Sequence, residues 1–103
     1  MNSFKYSHAK EKFEDAITIL VTGQKDIRHR LFDINEYIMH LQESELPYEL
    51  LDDFREVKSG LQNYKIHKTS KTHSITEKKL NIRNKTGEKI AYKVWNIYHE
   101  LHF

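Results

Sequence analysis

Apolar residues in this chain return at helical spacing in four separate stretches. The clearest is Asp26 to Gln42, where Ile27, Leu31, Ile34, Ile38 and Leu41 alternate four and three apart. They form one stripe, with Arg28, Arg30, Asp33 and Glu36 mostly turned away, and Asp26 suits the N-cap. Upstream, Ala9, Phe13, Ala16, Ile17 and Leu20 predict a helix from Ser7 to Thr22, with Ser7 as N-cap and Gly23 closing it in a left-handed cap. Phe4 and Tyr6 precede it as a lid. The turn Gly23-Gln24-Lys25 is short, so the second helix is expected to return antiparallel to the first.

A third stripe, Leu50, Phe54, Val57, Leu61 and Tyr64, predicts a helix from Pro47 to Tyr64. Pro47 is tolerated in its first turn, and Glu45 and Glu49 favour its positive end. Gly60 lies inside the pattern at a cost of about 1 kcal/mol against alanine, which points to close backbone approach or an early fray. Lys65 to Ser74 shows no period and reads as a loop carrying three Lys and two His. The last helix is expected from Thr76 to Leu101, since Leu80, Gly87, Val94 and Leu101 recur every seven residues with Arg83, Ile90 and Ile97 between them. A neighbouring stripe of Ala91, Tyr92, Trp95 and Tyr98 widens its apolar arc. Gly87 after Thr86 marks either a fresh helix capped by Thr86 or a small residue that lets another helix cross closely, and one helix with a kink is preferred. The fold expectation is an all-α single domain over 1–103, a four-helix up-down bundle with a basic loop before a long C-terminal helix.

Composition supports this. Only three Gly and one Pro interrupt 103 residues. With no Cys, disulfides, thiolate nucleophiles and Cys-based zinc sites drop out, which fits a reducing compartment. The start, MNSFKYSHAKEKFED, lacks the apolar core of a leader, and no run approaches membrane-span length. A soluble cytoplasmic protein without membrane contact is expected. Charge is divided along the chain: residues 1–62 hold eight Lys/Arg against twelve Asp/Glu, and residues 63–103 hold nine against three. Antiparallel packing would neutralise part of that division between neighbours; the sharper alternative is one positive and one negative face.

Two blocks, DIRHRLFDINEYIMHLQESELPYELLDDFREVKSGL and LNIRNKTGEKIAYKVWNIYHEL, resemble a widespread group of small bacterial proteins linked to prophages and genomic islands. The resemblance is carried by Gly23-Gln24-Lys25-Asp26-Ile27-Arg28-His29-Arg30-Leu31, by Leu46-Pro47-Tyr48-Glu49-Leu50 and by Ile82-Arg83-Asn84-Lys85-Thr86-Gly87-Glu88-Lys89-Ile90-Ala91. That group brings no assigned chemistry. It implies a mobile-element setting, in which small proteins often inhibit host defence complexes by binding them.

No phosphate-binding loop, dinucleotide fingerprint, H-E-x-x-H or G-x-S-x-G occurs. The paired carboxylates and E-x-x-H repeats of di-metal bundles are missing too, and Asp26-Ile27-Arg28-His29 reads as a cap followed by surface residues. His67 with His73, or His99 with His102, is the only metal grouping to consider, and solvated histidine is the plainer reading. Neither a cofactor, a metal nor enzymatic activity is expected.

Three binding surfaces remain. Tyr92, Trp95 and Tyr98, with Arg83, Lys89 and Lys93, would form a protein-binding edge, unless the rings complete the core. Glu45, Glu49, Asp52, Asp53 and Glu56, with Glu43, could occupy a basic groove, or be an ordinary acidic solvated face. Lys65, Lys68, Lys71, Lys78, Lys79 and Lys85 could track phosphates, or simply oppose the acidic helices. The expected function is a non-enzymatic interaction protein that occludes a host complex; a nucleic-acid-binding accessory protein is the alternative.

Overall fold

A computed structural model describes residues 6–62, 64–68, 76–80 and 82–103, the two strands by backbone and register alone. Four α-helices carry the four stripes: α1, Ser7–Thr22; α2, Ile27–Ile38; α3, Leu51–Leu61; and α4, Asn84–His102. The packed body is all-α. Its core is one cluster in which Phe13, Leu31, Ile34, Ile38, Phe54, Val57, Leu61, Val94 and Ile97 lose all or nearly all solvent contact. These are the positions the four-three spacing selects, because residues three and four apart share a helix face.

The pairing of the helices follows from individual contacts. Phe13 of α1 meets Phe54 of α3 edge to face, with ring centroids 6.4 Å apart. Along α3 and α4, Asp53 reaches Lys93 and Asn96, while Gly60 lies against Ile90, so the two helices run in opposite directions. Gly87 packs on Ile27 and Leu31, which sets the start of α4 beside the start of α2. Gly60 and Gly87 are thus both sites of close approach: a Cβ on Gly60 would lie 2.6 Å from Ile90 Cδ1, and one on Gly87 3.3 Å from Ile27 Cγ2.

Several boundaries differ from the sequence expectation. Tyr6, not Ser7, sits at the N-cap of α1. Gly23 does not end that helix in a left-handed cap; its φ of −64° and ψ of 138° are extended, and its N–H donates to Ile19 O at 2.9 Å. Arg30 ends it instead, its guanidinium donating to the Leu20 carbonyl that the last turn leaves open and to the Lys25 carbonyl in the turn that follows. Asp26 does cap α2, accepting from Arg28 N–H at 2.8 Å and from the Arg28 guanidinium. The G-x-x-D-I-R-x-R-L block is therefore the joint between α1 and α2. Its charged residues satisfy helix ends. Past Ile38, 3₁₀ turns at Glu43–Glu45 and Tyr48–Leu50 lead into α3, which begins four residues later than Pro47 because Pro47 caps the second of these turns.

The largest difference precedes α4. In place of a loop and a helix start, β1 (Tyr64–Lys68) and β2 (Thr76–Leu80) pair antiparallel, with Tyr64 opposite Leu80 and Lys65 opposite Lys79. Tyr64, which belonged to the third stripe, begins β1, and Thr76–Leu80 is extended where helix was expected. The alternation Tyr64, Ile66 and Leu80, Ile82 is a period of two. With only two apolar residues on each side it is too brief to outweigh the seven-residue recurrence of Leu80. β2 lies against α2, so the hairpin does not stand isolated. Thr69 to Ser74 of the expected loop, with Lys71 and His73, and Phe4 of the expected lid lie outside the described residues. α4 itself is continuous through Gly87. Among the described residues, no helix is long and apolar enough to cross a membrane.

One residue of α2 leaves its whole amide unmet among the described residues. Both amide atoms of Asn35, on α2 beside Phe32 and Met39, are buried without a hydrogen-bond partner. An unmet amide costs more than it returns, so Asn35→Leu is expected to stabilise the fold by about 1 kcal/mol, read from the urea midpoint at unchanged slope.

Candidate functional site

The solvent face of α4 is unusual for a surface helix. The helix buries Gly87, Ile90, Val94, Ile97 and Leu101. At 3.6 residues per turn, the side diametrically opposite carries Glu88, Tyr92, Trp95, His99 and Phe103. Tyr92 is 71% exposed, Trp95 46% and Phe103 86%. Their rings run along the helix in contact: Trp95 lies 5.5 Å from Tyr98 and 6.1 Å from His99, and His99 lies 5.0 Å from Phe103. A helix facing only water normally places charge at this position.

Of the three rings expected at an edge, Tyr92 and Trp95 face out, and Tyr98 turns partly inward to pack on the core and stack on His102 at 4.3 Å. His99 and Phe103 complete the stripe. Their spacing from Tyr92 and Trp95, three then four then four, is visible in the sequence; it is missed when only the first three aromatics are grouped. His99 and His102 do not converge as metal ligands, and His102 Nδ1 sits 2.9 Å from Tyr98 O. No group of three or more metal-ligating side chains occurs among the described residues. His67 falls on β1 and His73 lies outside the described residues.

The expected cations separate into two sets. Lys93 is bound between Glu56 at 2.7 Å and Asp53 at 3.3 Å, and those carboxylates, Glu56 first, raise its pKa. It ties α4 to α3. Arg83, Lys85 and Lys89 are exposed at the start of α4.

The acidic face is largely committed in the same way. Glu43 takes a two-pronged grip from Arg55 at 2.8 and 2.9 Å, which lowers its pKa and raises that of Arg55. Glu45 caps the Gln42 N–H at 2.8 Å and meets His8 at 2.6 Å, the first of these contributing most to its lowered pKa. Asp53 and Glu56 hold Lys93, and Asp52 stands 3.8 Å from Arg55. Of these six acids, Glu49 alone is exposed without an ion pair among the described residues, and Asp52 keeps 97% of its side-chain exposure.

The Asp26 carboxyl is the most perturbed acid, lowered from 3.8 to about 2 by the Arg28 guanidinium first and the Arg28 N–H second. Its folded pKa lies below its unfolded value. Its stabilisation is therefore complete above pH 4 and drains away as pH falls toward 2. Asp26→Asn, which keeps an acceptor for the cap, is expected to flatten the acid limb of stability between those values, measured by urea unfolding at stepped pH.

The hairpin brings together Lys65 and Lys79 as direct cross-strand partners, with Lys78 opposite Ile66, Lys68 opposite Thr76 and His67 opposite Glu77. Like charges placed opposite each other weaken a hairpin. Lys71 lies outside the described residues.

Comparisons with known protein families, with curated proteins and with solved structures find no match.

Proposed function

We propose that this chain is a non-enzymatic interaction protein, an up-down four-helix bundle that works in the cytoplasm by binding a macromolecular partner and covering it. The outer face of α4 carries the reading: Tyr92, Trp95, His99 and Phe103 stand opposite the buried seam, and Tyr and Trp dominate the energetics of protein interfaces. Exposed Lys89 borders it, and Arg83 is exposed at the N-cap of α4. The groups with shifted pKa, Asp26, Glu43, Glu45, Arg55 and Lys93, each join helices or cap them, so their perturbation is explained by architecture. Resemblance to the prophage- and island-linked group favours a host defence complex as the partner and inhibition by occlusion as the outcome.

The test is affinity capture from bacterial lysate, with and without nuclease, comparing the native chain with Trp95→Ala. Loss of a centrally placed aromatic anchor is expected to weaken capture by about 30-fold or more. Thermal stability is expected to change by under about 1 kcal/mol, because Trp95 lies outside the core. Capture unaffected by Trp95→Ala would remove the proposal.

The juxtaposition of Lys65 and Lys79 favours a second reading, in which the basic hairpin and the start of α4 contact nucleic acid. A two-stranded ribbon fits the major groove, and phosphate would relieve the like-charge pair. This reading expects capture that nuclease abolishes and duplex binding that falls steeply with salt; absence of duplex binding near about 50 mM salt would exclude it.

A further inference from the structure

We infer that the outer face of α4 is the seam of an antiparallel homodimer, covered by the same face of a second copy of this chain. The inference rests on reading that face as a binding surface and names its occupant in the free protein; any other protein partner has to displace that copy. Charge placement carries it. Beside the rings, one border of α4 holds Lys85 and Lys89 toward the start and Glu100 toward the end. Within the stripe itself, Glu88 stands toward the start and His99 toward the end. Lys85, Glu88, Lys89 and Glu100 have no ion-pair partner among the described residues.

When two such faces meet antiparallel, each border lies against the same border reversed. Lys89 then comes to Glu100 of the second copy, and Glu88 to His99. A single register serves the rings as well. With the two-fold axis midway between residues 93 and 94, Tyr92 lies opposite Trp95 of the second copy and Glu88 opposite His99. Every contact is made twice, as a two-fold interface requires. The antiparallel arrangement also opposes the two helix dipoles. The central layers are two Tyr–Trp pairs, the residue types that anchor interfaces, and the charged residues form the rim. A one-helix seam is at the small end of specific interfaces, so half-association is expected at about 10 to 100 µM.

The chain has no Cys, so introduced thiols report cleanly. Glu88→Cys and His99→Cys are made as separate full-length variants, each checked for native helix content, and oxidised mildly alone and as an equal mixture. The expected result is a covalent dimer formed mainly in the mixture. Alone, each thiol lies about 16 Å along the seam from its own copy, beyond disulfide reach. Cross-linking of each variant alone at least as fast as in the mixture would mean a parallel or different seam and overturn the inference. So would sedimentation equilibrium showing only monomer up to about 500 µM. Trp95→Ala is expected to raise the dimer dissociation constant by at least about tenfold. A monomer whose capture of other proteins still depends on Trp95 would end this inference and leave the binding-face reading intact. A monomer indifferent to Trp95→Ala in capture would end both.

Discussion

Phe54→Ala is expected to cost about 3 to 5 kcal/mol and to lower the melting temperature by more than about 12 °C. Phe54 is wholly buried, and its ring meets the edge of Phe13 from α1 while Lys58 lies 5.3 Å over its face. α3 is only eleven residues long, and Phe54 joins it to α1 through Phe13. Neighbours on α1 and α4 are held by their own seams, so the space left by the ring cannot collapse. That loss is a large share of the whole stability of a domain this size. Urea unfolding with unchanged slope checks it, and Phe54→Leu, which keeps most of the volume, is expected to cost less than half as much. A cost under about 1 kcal/mol for Phe54→Ala would mean that α3 is not packed as described.

Gly23→Val is expected to cost about 3 kcal/mol, although the glycine backbone conformation suits any residue. The difficulty is space. A Cβ at Gly23 would lie 2.5 Å from Arg30 Cδ and 2.7 Å from Ile19 O, and the carbonyl belongs to the helix and cannot retreat. Arg30 must then swing away and give up its bonds to Leu20 and Lys25, which leaves the end of α1 unsatisfied. Arg30→Ala alone removes the same bonds. Equilibrium unfolding of Gly23→Val, Arg30→Ala and the double variant is expected to show a clear shortfall from additivity, because the second change finds the contact already broken. Full additivity would separate the two residues.

Legibility varied along the chain for physical reasons. The stripes of α1, α2 and α3 could be read because helical period is a local property, repeated over three or more turns by Phe13, Leu31 or Phe54 and their neighbours. The joint at Gly23 to Arg30 showed its cap, Asp26, but not the role of Arg30, since a side chain reaching back ten residues to Leu20 has no periodic signature. On α4 the same aromatic residues were visible as a group, yet which of them faced out depended on a rotation of the helix that neighbouring elements impose.

The amino-acid order by itself determined a helical body, its four buried seams and an acidic first half followed by a basic second half, because period and charge are carried by each short stretch alone. Tertiary structure decided the rest. Tyr64–Lys68 pairs with Thr76–Leu80 because each strand finds its ladder partner in the other, and because α2 lies against β2. Lys93 is consumed by Asp53 and Glu56, some forty residues away in sequence, while Tyr92 and Trp95 are left facing outward, since only the assembled bundle fixes which side of α4 is inside.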